Sequence, residues 1–133
     1  MTDGLDIKIT GLTANTPYTF TIWSFDTGSG GNRVSDWFAN GVEVFPDYSF
    51  DGRILPEDDT QYRFSFDAFT DGLGSAVIAA RRDDATRDTV NGASFGIFLN
   101  AMQIDAVPEP STAILLASGV GIFLGRRYRR AAR

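Results

Sequence analysis

The sequence predicts a mainly β protein: an antiparallel β-sandwich followed by one C-terminal transmembrane helix. Three observations lead there. The chain carries 11 Phe, four Tyr and two Trp beside 14 Gly, a mixture that favours short strands and tight turns over long helices. Apolar and polar residues alternate in several separate stretches of residues 1–106, which is the period of a pleated strand. The closing segment then changes character: 14 residues without a charge, Thr112 to Gly125, run straight into an Arg-rich end. At 133 residues there is room for one domain of ordinary size. The expected organisation is a sandwich over 1–106, a hinge over 107–111, a membrane helix over 112–125 and a basic cytoplasmic tail over 126–133.

Each strand has its own signal. In Leu5–Leu12 apolar and polar residues alternate up to a Gly, as in a half-buried strand. In the next stretch Tyr18, Phe20, Ile22 and Ser24 share one face, with Thr19, Thr21, Trp23 and Phe25 on the other. Both faces are partly apolar, which suits an interior strand. Asp26–Asn32 is Gly-rich and reads as a loop. From Val34 to Gly52 one or two short strands are expected, broken at Asn40-Gly41, Pro46 and Asp51-Gly52. Gln61–Phe69 sets Tyr62, Phe64, Phe66 and Ala68 against Arg63, Ser65 and Asp67. The turn Asp71–Gly74 then joins it to Ser75–Arg82 as an expected hairpin. Ser94–Asp105 is the expected last strand, giving about six in all and no helix before residue 111.

Composition removes several kinds of chemistry. With no Cys and no His there are no disulfides, thiol nucleophiles, thiolate or imidazole metal sites, or His-based triads. The net charge of −5 is split: residues 1–110 hold all 17 acidic residues against seven basic ones, while residues 111–133 hold five Arg and no acid. A body at −10 repels phosphate, so nucleic acid is not an expected partner. No catalytic constellation, cofactor site or metal site is predicted. The acidic groups Asp47/Asp51, Glu57-Asp58-Asp59 and Asp83-Asp84/Asp88 lack the spacing of a Ca²⁺ loop and read as solvated charge.

The closing stretch has its own logic. As a helix, Thr112–Gly125 would extend about 21 Å at 1.5 Å per residue, short of a hydrocarbon core of about 30 Å. It is nevertheless apolar around its whole circumference, and Arg126, Arg127, Arg129 and Arg130 follow at once. Arginine stems can reach to the phosphates and lengthen the effective span. Arg clustered on one flank also places the C-terminus in the cytoplasm and the acidic body outside. The competing reading is a packed core helix with a solvated basic tail. Just upstream, Val107, Pro108, Glu109, Pro110 and Ser111 form a spacer that continues neither a strand ladder nor a helix.

Taken together, Pro108-Glu109-Pro110, the short apolar run and the terminal Arg cluster resemble the PEP-CTERM sorting signal of Gram-negative, often exopolysaccharide-forming bacteria. The resemblance covers Val107 to Arg133. It implies an exported protein held in the inner membrane by residues 112–125, recognised at Pro108, Glu109 and Pro110 by an exosortase, then released or transferred to the surface. The protein is thus expected to be the substrate of an enzyme and not an enzyme itself, with extracellular polysaccharide as a further candidate partner. Such proteins normally begin with a secretory signal peptide, whereas this sequence opens with Asp3 and Asp6 and no apolar core. Either upstream residues are missing or the C-terminal helix serves as a tail anchor.

The body carries weaker likenesses. Gly11-Leu12 followed by Thr16 and Tyr18 looks like the tyrosine corner of fibronectin type III domains. The length of strand-like sequence after Tyr18 favours a jelly roll resembling galactose-binding-like domains, lacking its first strands. Among the aromatics, Trp23, Trp37 and Tyr48 could stack on a sugar, with Asp36, Asn40 and Asp47 as polar neighbours. Trp23 and Tyr48 read more readily as core. Trp37, between Ser35-Asp36 and Asn40-Gly41, is the candidate ligand contact of a carbohydrate-binding module, the alternative function.

Overall fold

A computed structural model describes residues 4–28, 31–82 and 97–108. Seven strands form in them: β1 (Gly4–Ile9), β2 (Pro17–Trp23), β3 (Asn32–Ala39), β4 (Val42–Asp51), β5 (Arg63–Phe69), β6 (Ala76–Arg82) and β7 (Ala101–Ala106). All pairings are antiparallel, and the strands fall into two sheets, β1-β6-β3-β4 and β5-β2-β7. No helix occurs among the described residues.

Alternation decides which side chains lie between the sheets. Tyr18, Phe20 and Ile22 of β2 are buried, as are Phe64 and Phe66 of β5, while Thr19, Thr21, Ser65 and Asp67 face outward. The outward polar residues pair across the ladder: Thr19 Oγ1 donates to Asp67 Oδ1 at 2.6 Å, and the Thr21 and Ser65 hydroxyls lie 2.8 Å apart. Inside, Phe64 is the meeting point of the two sheets. Phe45 lies 4.5 Å from it, Tyr48 4.6 Å and Trp37 5.2 Å, the last edge-on. Each such aromatic contributes about 1.5–3 kcal/mol by leaving water, so this cluster is the main source of cohesion between the layers.

One expected strand break holds and another does not. Asn40 and Gly41 do form a two-residue hairpin turn, with φ of 50° and 81°, as a type I′ turn requires. Pro46, however, does not break its strand. It falls where Trp37 pairs with Phe45 and Ser35 with Tyr48, so β4 spends one residue more than β3. That is a β-bulge, which accommodates a residue without an N–H. Asp47 follows with φ 51°, and its N–H is taken by Asp36 Oδ1 at 3.0 Å.

The expected hairpin between Gln61–Phe69 and Ser75–Arg82 does not form. β5 pairs with β2, β6 pairs with β1 and β3, and the connection crosses between sheets. Asp71 builds this crossover by accepting the N–H groups of Leu73 and Ser75, both at 2.8 Å, on Oδ1. Gly74 has φ 69°, and a Cβ there would lie 2.0 Å from the Leu12 carbonyl oxygen. The turn is thus pressed against the β1–β2 loop, where Leu12 N–H donates to Gly74 O and Asn15 N–H to Asp71 O. The last strand is also shorter than expected, beginning at Ala101.

The corner suggested by Tyr18 is present: its phenolic oxygen accepts the Thr13 N–H at 3.1 Å. A jelly roll sets four strands against four, whereas the second sheet here has three among the described residues.

Candidate functional site

The place where the chain leaves the sandwich is set by β7. Among the described residues this strand lies at the edge of its sheet and pairs with β2 alone, from Trp23↔Ala101 to Tyr18↔Ala106. It is held at its start as well: Ser24 Oγ donates to Phe98 O at 2.6 Å, Asn100 N–H to Trp23 O at 2.9 Å, and Asn100 Oδ1 accepts the Phe25 N–H at 2.8 Å. At its end, Val107 N–H donates to Pro17 O at 3.1 Å. Pro108 has no N–H to continue the ladder, and its side chain is exposed. Among the described residues, Val107 thus makes the last main-chain hydrogen bond before Pro108. Glu109, Pro110, Arg126, Arg127, Arg129 and Arg130 lie outside the described residues, as does the expected membrane helix over 112–125. Among the described residues no helix is long and apolar enough to cross a membrane.

A family model described as the PEP-CTERM protein-sorting motif matches residues 106–130. The chain carries a PEP-CTERM sorting signal. The match takes in all eight residues expected from the sequence to make the signal, Val107 to Pro110 and the four Arg at 126, 127, 129 and 130. It starts one residue earlier, at Ala106, the last paired residue of β7. No curated protein and no solved structure matches the chain. The sequence showed the composition of the PEP-CTERM segment but not its tie to Pro17, because a main-chain hydrogen bond leaves no mark in residue identity.

The expected ligand contact is placed differently. Trp37 lies in the middle of β3 and is 0% exposed, with its indole N–H donated to Ser35 Oγ at 3.1 Å. A ring with no open face cannot stack on a sugar in this fold. Its expected polar neighbours also have structural tasks. Asp36 caps the bulge at Asp47. Asn40 donates from Nδ2 to Phe69 O and accepts the Val77 N–H on Oδ1, each at 2.8 Å. Tyr48 is core, as its reading as a packed residue anticipated. Trp23 is half-buried on the outer face; its indole N–H donates to Asp59 O at 2.6 Å and the Arg63 guanidinium sits 5.9 Å from its ring centre.

The carboxylates of Asp51, Asp58 and Asp71 are engaged locally. Arg53 donates to both carboxylate oxygens of Asp51, from Nε and Nη2, and holds its pKa down at about 2. Asp58 accepts from Thr60 and Gln61, and these bonds, led by the Thr60 hydroxyl, lower its pKa. The Ser75 and Leu73 amides do the same to Asp71. Among the described residues, no three carboxylates gather closely enough to hold a cation. Asp83, Asp84 and Asp88 lie outside the described residues.

Proposed function

We propose that this protein is a non-catalytic cargo of the PEP-CTERM route: an exported surface or extracellular-matrix β-sandwich whose C-terminal signal is read by an exosortase. The supporting observation is the position of the motif. The match at 106–130 begins on the final rung of β7, so the signal starts where the last strand of the described fold ends. An enzyme acting at Pro108–Pro110 would act directly after the last strand of the described fold. In this reading residues 112–125 hold the protein in the inner membrane with the Arg tail in the cytoplasm, and processing passes the sandwich to the surface or the matrix.

The test is mass spectrometry of the mature C-terminus, with membrane fractionation, in hosts with and without an exosortase. The gene is expressed with whatever export signal lies upstream. Loss of the Arg tail near Pro108–Pro110 only in the host with the enzyme is the expected result. An intact Arg133 in the soluble cytoplasmic fraction of both hosts overturns the reading.

A further inference from the structure

Four exposed apolar side chains gather at the end of the sandwich from which the chain leaves. Phe69 closes β5 and pairs across the ladder with Pro17, whose carbonyl holds Val107. Leu73 sits at the tip of the β5–β6 crossover, Val77 is the second residue of β6, and Val42 follows the Asn40-Gly41 turn. Asn40 joins these pieces: its side chain holds the Phe69 carbonyl and the Val77 N–H, and its own N–H donates to Val77 O at 2.8 Å. Leu73 is 87% exposed, Val42 66% and Phe69 64%. The acid in the crossover, Asp71, is exposed, and its Oδ1 accepts the Leu73 and Ser75 amides.

The other large apolar side chains exposed among the described residues, Ile54, Leu55 and Leu99, lie at the opposite end. There the segment 52–62 surrounds the first two with Arg53, Glu57, Asp58 and Asp59.

Chain length fixes which end meets a membrane. From Val107 to Thr112, where the apolar run begins, there are five residues, a reach of about 18 Å at full extension. A seven-residue strand such as β5 is itself about 20 Å long. A sandwich tethered this closely presents its exit end to the bilayer.

We infer that the patch of Val42, Phe69, Leu73 and Val77 rests on the phospholipid surface while the protein is tethered, and leaves it when the signal is cut. The inference builds on the proposed insertion of residues 112–125. Apolar side chains at the headgroup boundary bind weakly by themselves, and the tether keeps them at high effective concentration beside the surface. Cutting the tether would therefore release the sandwich cleanly.

The absence of native Cys allows single labels. A Cβ at Gly72 meets nothing within 4 Å, so Gly72→Cys reports beside Leu73, Glu57→Cys reports at the far end, and Ser118→Cys reports in the apolar run. The full chain, carrying an environment-sensitive fluorophore at one of these sites, is reconstituted into vesicles of phosphatidylethanolamine and phosphatidylglycerol with spin-labelled lipid as quencher. The expected result is quenching at positions 118 and 72 but not at 57, with the signal at 72 lost in Phe69→Ser/Leu73→Ser while that at 118 persists. Quenching at 118 with position 72 as bright as position 57 overturns the inference. No quenching at 118 overturns the insertion on which it builds. Equal quenching at 72 and 57 shows unspecific adhesion and also overturns it.

Discussion

The hydroxyl of Tyr48, on β4, donates across the sandwich to the main-chain oxygens of Ser24, at 2.5 Å, and Tyr62, at 2.8 Å. Both acceptors flank strands of the other sheet, Ser24 just after β2 and Tyr62 just before β5. One phenol thus ties together three strands from two layers, at the end of the sandwich away from the chain exit.

Removing that phenol should be felt. Tyr48→Phe takes the donor from the Ser24 carbonyl, while the Tyr62 carbonyl still accepts the Ser24 N–H, at a cost of about 1–3 kcal/mol. Urea unfolding is expected to show a lower midpoint with an unchanged slope. Unchanged stability would mean that water satisfies the Ser24 carbonyl equally well.

The same residue predicts alkaline sensitivity. Burial, with a smaller contribution from Tyr62, raises the Tyr48 pKa well above its ordinary 10.0. The folded state therefore keeps the proton longer than the unfolded chain. This stabilisation is complete below pH 10 and is lost as pH climbs towards the folded value. Unfolding midpoints measured from about pH 9 upward should fall more steeply for the wild type than for Tyr48→Phe.

Acid acts through the carboxylates. The pKa values of Asp51, Asp58 and Asp71 are all lowered from 3.8, that of Asp51 to about 2. Their stabilisation is present above the unfolded value and is lost as pH falls through the folded values. Stability should therefore decline from about pH 4 downward, and Asp51→Asn should remove the part of that decline nearest pH 2. A profile identical to wild type would show that the Arg53 pairing does not outlast solvent competition.

Trp37 supplies a test of burial against binding. Trp37→Ala should destabilise the domain by about 3–5 kcal/mol through the cavity it leaves. In the wild type, an aqueous quencher should reach Trp23 and spare Trp37. A change in Trp37 emission on glycan titration, read in a Trp23→Phe background, would contradict the buried placement.

Two glycines in one turn should behave differently. Gly74→Ala meets the Leu12 carbonyl and sits at positive φ, so it should destabilise by more than the roughly 1–2 kcal/mol of the backbone conformation alone. Gly72→Ala, which meets nothing, should be near neutral. Equal thermal midpoints for the two variants would mean the crossover is not packed as described.

Much of this fold was legible in the sequence because period-two patterning fixes faces. The buried sides of Pro17–Trp23 and Arg63–Phe69 follow directly from alternation, and Asn40-Gly41 announces its own turn. Patterning does not fix partners, since an outward Thr19 looks the same beside any neighbour. Hence β5 and β6, joined by a short turn, looked like a hairpin although Asp71 carries the chain from one layer to the other. Trp37 misled for a related reason: flanking Ser, Asp, Asn and Gly look like a loop, yet they build a hydrogen-bonded bulge and turn around a buried strand. The sorting signal was the clearest part, being defined by composition and order and requiring no tertiary context.

The edge position of β7 has a mechanical meaning. The tail continues from the end of the strand, so a load applied through it while the body is dragged the other way runs along β7. Force in that direction shears the six pairs between β7 and β2 together instead of opening them one after another. An edge strand that would peel readily from the side becomes a firm point of attachment when pulled lengthwise.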